Sequence, residues 1–122
     1  MIMDHKLKLM VVDDSPLFRT WLIRSLSEDD RFQIVGYAVN ALDAQEKIPL
    51  LQPDMLTLDI EMPGMSGIDF LKQLLPVHPI PVILVSSLNL RVFDALEAGA
   101  VDFVRKPDEA NGLSKEIFLS TL

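Results

Sequence analysis

The sequence predicts an α/β domain with a doubly wound, five-stranded parallel sheet, and three observations carry that expectation. Apolar runs of strand length recur at Leu7–Val12, Phe32–Tyr37, Met55–Leu58, Val82–Val85 and Val101–Val104. They are short, rich in β-branched residues and not cleanly alternating, which suits strands buried on both faces. Each run is followed by a segment of helix length, and strand–helix five times over gives a parallel sheet with right-handed crossovers and helices on both faces. Finally, chemistry-bearing residues follow the runs: Asp13 and Asp14 after the first, Asp59 after the third, Lys106 just after the fifth. In neighbouring parallel strands those positions share the C-terminal edge of the sheet, where open α/β sheets bind ligands.

The helices follow in order. Ser15-Pro16 opens the first with a capping residue and a proline at the first helical position. Leu17, Phe18, Trp21, Leu22, Ser25 and Leu26 are expected on its inner face, and Glu28-Asp29-Asp30 ends it. Trp21 reads as core or rim. Asn40 is expected to cap the second helix, with Leu42, Ile48 and Leu51 buried and Pro49 shortening or kinking its last turn. Ser66-Gly67 precede a third helix that presents Ile68, Leu71, Leu74 and Leu75 before Pro76. The fourth is short, about Leu90 to Ala98, anchored by Leu90, Val92, Phe93, Ala95 and Leu96 and ended by Gly99. The fifth runs from about Leu113 to Leu122, and from this we expect the chain to be the N-terminal part of a longer protein.

Bulk composition narrows the function classes. The 122 residues suit one domain with a real core, and 49% apolar residues exclude disorder. A net charge of −7 argues against nucleic-acid binding by this domain. Without cysteine there is no disulfide, zinc-thiolate site or thiol nucleophile. No secretory signal and no apolar stretch near the ~18 residues of a membrane span is present, so a cytoplasmic location without membrane contact is expected.

Three carboxylates gathered at one sheet edge repel one another, and a bound cation is the expected remedy. Taken singly, each residue has a plainer reading. Asp13-Asp14 could be a turn and helix entry, Lys106 a solvated lysine and Ser86 a strand-end hydroxyl bonded to backbone. Glu61 could be merely solvated, and Phe103 an edge-of-core aromatic. Their company favours a site. His5 and His78 read as ordinary surface residues.

At Val11-Val12-Asp13-Asp14-Ser15, Leu58-Asp59-Ile60-Glu61-Met62-Pro63-Gly64-Met65-Ser66-Gly67, Val85-Ser86-Ser87, and Ala98-Gly99-Ala100 followed by Lys106-Pro107, the sequence resembles the response-regulator receiver domain over essentially its whole length. Leu56-Thr57-Leu58-Asp59-Ile60-Glu61-Met62-Pro63, Val85-Ser86-Ser87-Leu88 and Gly99 to Pro107 are similar to the receiver of chemotaxis protein-glutamate methylesterases (CheB-like). The resemblance implies a flavodoxin-like (βα)5 fold with strand order 2-1-3-4-5. It implies that Asp59 accepts a phosphoryl group from a histidine kinase of chemotaxis type. Mg²⁺ would be held by Asp13, Asp14, Asp59 and the backbone carbonyl of Glu61. Lys106 and Ser86 would contact the phosphoryl oxygens, with Ser86 and Phe103 as the switch pair and a cis Lys106–Pro107 bond. The partners implied are that kinase and an output domain of the same chain, in relatives a methylesterase.

Two departures stand out. Lys106 follows Ser86 by only 20 positions, fewer than in relatives, so the loop and fourth helix after Ser87 are shortened and the output surface is affected rather than the chemistry. No Gly-x-Ser-x-Gly nucleophile elbow occurs, so an esterase domain is absent from these residues. Two other classes compete. A haloacid-dehalogenase-type phosphatase also uses a strand-end aspartate, Mg²⁺ and a lysine, but it wants Asp-x-Asp where this chain has Glu61, and it has no need of Asp13-Asp14. A flavodoxin-like cofactor module would need a Gly/Ser/Thr-rich phosphate loop where Asp13-Asp14 stand.

Overall fold

A computed structural model describes residues 6–86 and 92–106. It contains β1 (Leu7–Val12), α1 (Pro16–Ser27), β2 (Phe32–Ala38), α2 (Ala41–Leu51), β3 (Met55–Asp59), α3 (Gly67–Leu74), β4 (Val82–Ser86), α4 (Val92–Glu97) and β5 (Asp102–Arg105). The strands form one parallel sheet in the order β2-β1-β3-β4-β5. This is the expected flavodoxin-like topology. The expected fifth helix and the Lys106–Pro107 bond lie outside the described residues.

The apolar runs fail to alternate because both faces of each inner strand are covered. Met10, Val12, Leu56, Leu58, Val82 and Leu84 face α2 and α3. Leu9, Val11, Met55, Ile83, Val85 and Val104 pack on the other side, with Leu22 and Leu26 of α1. Strand residues one apart in sequence therefore enter different cores, and both positions must be apolar.

The caps read from sequence are present. The Ser15, Asn40 and Ser66 side chains accept from the N–H groups of Phe18, Asp43 and Asp69. Pro49 does not end α2 early; the helix runs to Leu51 and closes on Gln52 in a left-handed conformation with φ of 49°.

Three expected core residues are exposed. Leu17 is 71% exposed, because at 3.6 residues per turn it lies half a turn round α1 from the buried Leu26. Leu42 is 66% exposed, because α2 buries the Ala41, Ala44 and Ile48 stripe and Leu42 lies more than half a turn from Ala44. Leu96 in α4 is also exposed, so it does not anchor that helix. Phe18 and Trp21 are half-buried against the α1-side core, with ring centroids 5.7 Å apart.

Candidate functional site

The chain order of the strands decides what meets at the carboxyl edge. β1 and β3 are neighbours whose connections leave in opposite directions, so the crevice between their C-terminal ends is the switch point of the sheet. Asp13 follows β1 and Asp59 ends β3, and the two flank that crevice. The carboxylates of Asp13, Asp14 and Asp59 each bring an oxygen within 4.8 Å of the others. Asp13 and Asp59 are 2% and 1% exposed, whereas Asp14 is open to solvent.

The two buried carboxylates are held alike. Asp13 Oδ1 accepts from the Ser15 N–H at 2.8 Å, and Asp59 Oδ1 accepts from the Glu61 N–H at 3.2 Å. In each case the side chain bonds the backbone two residues on, the usual aspartate turn habit, and the other oxygen is left facing inward. There Lys106 Nζ stands 3.1 Å from Asp13 Oδ2 and 3.5 Å from Asp59 Oδ2. The lysine reaches in because β5 pairs with β4 and its own N–H donates to the Ser86 carbonyl at 2.6 Å. Its ammonium lies 4.6 Å from the centre of the Phe18 ring, a contact that favours a cation. Ser86, fully buried at the end of β4, donates its hydroxyl to Glu61 Oε2 at 2.5 Å.

Electrostatics at the cluster are costly. Burial foremost, then the neighbouring Asp13 charge, pushes Asp59 up to about 8 despite the opposing pull of Lys106. Asp13 is raised as well, chiefly by burial, with the Ser15 N–H and Lys106 working against that. One lysine does not neutralise three carboxylates. Beyond its ion pair, Asp59 Oδ2 is buried and accepts no hydrogen bond among the described residues. An all-oxygen, net-negative cluster with an unfilled buried acceptor fits a hard divalent cation.

α3 is drawn tight against this site. The Gly67 N–H donates to the Ile60 carbonyl at 2.9 Å, and a Cβ on Gly67 would overlap the carbonyl oxygen of Asp59. A glycine is required there because the helix start touches the backbone of β3.

Of the residues singled out from sequence, Asp13, Asp14, Asp59, Glu61, Ser86 and Lys106 come together at this edge. Phe103 lies in β5, but its side chain is outside the described portion. His78 sits away from this edge beside Ile48, Pro53 and Ile80, and His5 is outside the described residues. Sequence reasoning missed two contributors. Arg19 Nη1 donates to the Asp13 carbonyl at 2.9 Å while its guanidinium stacks 4.6 Å from the Tyr37 ring centre. Phe18, expected only as core, also borders Lys106. Their position in the first turns of α1, immediately after Asp13-Asp14, was the available signal.

The fold and site together define a phosphoacceptor receiver of two-component signalling, and comparison with known proteins agrees. Residues 9–118 match the response regulator receiver domain family, and the chain belongs to that family. It is closely related to the receiver domains of CheB-type methylesterases. It is 48% identical over 118 residues to a protein-glutamate methylesterase/protein-glutamine glutaminase of Syntrophomonas wolfei, a match covering 97% of this chain and 35% of that protein. The chain thus spans about a third of the length of the curated relatives it matches. The response regulator domain of Thermotoga maritima CheB superposes with a TM-score of 0.85 at 36% identity, covering 96% of this chain and 91% of that one. The complex of the P1 domain of CheA3 with CheY6 from R. sphaeroides matches with a TM-score of 0.76 at 28% identity, covering 95% of each chain. No described helix is long and apolar enough to cross a membrane.

Proposed function

We propose that Asp59 is the phosphoacceptor and that Asp13, Asp14 and Asp59, with the backbone carbonyl of Glu61, hold Mg²⁺ beside it. The observation that carries this reading is the meeting of three carboxylates with the Lys106 ammonium at the switch point of the sheet. The donor is a phosphohistidine of a chemotaxis-type histidine kinase, by analogy with the CheA3–CheY6 pair. As the Asp59 carboxylate forms its bond to phosphorus, the N–P bond of the donor breaks and the imidazole leaves with the electron pair. A carboxylate is a weak nucleophile, so alignment and charge neutralisation must supply the rate. When bound, the cation supplies charge neutralisation at the phosphoryl oxygens. Lys106 pairs with one of those oxygens as a compact, mobile charge. Ser86 donates its hydroxyl to another, and with Phe103 it carries the change to the output face. The chain acts as the regulatory domain of a longer cytoplasmic protein, most simply a protein-glutamate methylesterase like its curated relatives, whose activity lies outside these residues.

Intact-mass measurement after treatment with a small acyl phosphate and Mg²⁺ tests the assignment. One phosphoryl adduct is expected in the wild type and none in Asp59→Asn. An undiminished adduct in the variant would sink it.

A further inference from the structure

We propose that the Glu61 carboxylate and the incoming phosphoryl group compete for the single proton of the Ser86 hydroxyl, so that Glu61 acts as a positioning residue that holds the unphosphorylated arrangement. The inference rests on Asp59 being the phosphoacceptor. Ser86 is fully buried, and its hydroxyl donates to Glu61 Oε2 at 2.5 Å. A hydroxyl carries one donor hydrogen, whereas ionised carboxylate and phosphoryl oxygens only accept. That hydrogen cannot serve both. The backbone of Ser86 is not free to settle the matter, because its carbonyl already accepts from the Lys106 N–H at 2.6 Å within the β4–β5 ladder. The side chain must turn from one acceptor to the other.

Glu61 is well placed to impose that choice. Its N–H donates to Asp59 Oδ1 at 3.2 Å, so one residue touches the phosphoacceptor through its backbone and Ser86 through its side chain. A hydrogen bond to a charged acceptor is stronger than a neutral one, which gives the resting arrangement real weight. The Glu61 charge also opposes a second anion on the neighbouring Asp59 by like-charge repulsion. That second effect does not depend on Ser86, and the two can be separated experimentally.

The test is beryllofluoride affinity at saturating Mg²⁺ in wild type, Asp59→Asn, Glu61→Gln, Glu61→Ala, Ser86→Ala and the Glu61→Ala/Ser86→Ala double variant. Glu61 is exposed, so its truncation leaves the core intact. Glu61→Ala is expected to bind the mimic about tenfold more tightly than wild type, the scale of one charge-assisted hydrogen bond. Glu61→Gln, which keeps an acceptor without the charge, should fall between them. In the Ser86→Ala background the gain from Glu61→Ala should shrink to about twofold, the part due to charge alone. An equal gain in both backgrounds, or no gain in either, overturns the competition. Binding lost in Asp59→Asn but indifferent to Glu61 overturns the competition while sparing the phosphoacceptor assignment. Binding that persists in Asp59→Asn overturns both.

Discussion

Two aspartates at opposite edges of the sheet show what environment does to one side chain. Asp29, in the turn before β2, meets Arg31 in a two-pronged pair with Nη2 at 2.7 Å and Nε at 3.0 and 3.1 Å. The Arg31 hydrogen bonds hold Asp29 down at about 2. Asp59 also has a cation beside it, yet it is driven up to about 8. The difference is burial and company. Asp29 has one partner in water, whereas Asp59 has shed its water and shares one lysine with another buried carboxylate. The first arrangement is electrostatically comfortable and locally structural. The second stores unfavourable charge where a ligand can relieve it, which is how functional sites depart from rules the rest of a fold obeys.

The sharpest way to break this comparison is to remove the shared cation. Lys106→Ala leaves Asp13 and Asp59 facing each other without compensation and should destabilise the metal-free domain by about 3 kcal/mol, the usual scale for breaking a buried pair. Denaturant unfolding in a chelator measures it. Stability unchanged from wild type would mean that the lysine does not hold the cluster together. The same variant should retain Mg²⁺ binding, since a cation rather than a ligand has been removed, but should lose most of its response to beryllofluoride.

Adding the cation should do the reverse. At Mg²⁺ about 100 times its dissociation constant, linkage adds ~2.7 kcal/mol to the folded state. Asp13→Asn should weaken that gain and, by removing one like charge, raise stability without metal. Identical melting temperatures with and without saturating Mg²⁺ would count heavily against a cation site here.

A graded effect, smaller per unit of pH than either of these, is expected from pH. Asp59 is raised in the folded state, so the metal-free folded domain keeps a proton that the unfolded chain releases from the ordinary aspartate range upward. Stability is therefore greatest below about pH 4 as far as this group is concerned, and it falls as pH rises toward about 8, at up to ~1.4 kcal/mol per unit. Melting temperatures between pH 5 and 8 in a chelator should decline, and Asp59→Asn should flatten the decline. A slope that is the same in the variant would place its origin elsewhere. The Asp29 contribution runs the other way, present above the ordinary aspartate range and lost only as pH falls toward about 2, so it does not confuse this window.

The smallest effect belongs to the comfortable pair. Asp29→Ala should shift the melting temperature only slightly and leave acyl-phosphate labelling at its wild-type extent, because exposed ion pairs contribute little. A loss of labelling would show that the two edges are coupled through the sheet.

Local chemistry explains why so much of the fold was legible in advance. β1 begins and ends where its apolar run does, and Ser15, Asn40 and Ser66 cap because a side-chain oxygen needs only the N–H groups of the next turn. Strand ends carrying Asp13, Asp59 and Lys106 were visible for the same reason. Helix faces were less secure. Leu17 and Leu42 are apolar and helical, but which side a helix buries depends on the sheet beneath it, and both point outward.

Patterning and turn chemistry along the chain thus determined the element order, the caps and the edge at which the carboxylates collect, since each depends on residues within a few positions of one another. Only the tertiary structure decided that the Ser86 hydroxyl donates a hydrogen bond to Glu61, 25 residues away, that Arg19 ties down the Asp13 carbonyl, that Phe18 borders Lys106, and that Gly67 must lack a side chain to let α3 touch β3. Those contacts join different elements, and their distances are set by how the layers pack, a quantity that no spacing along the chain encodes.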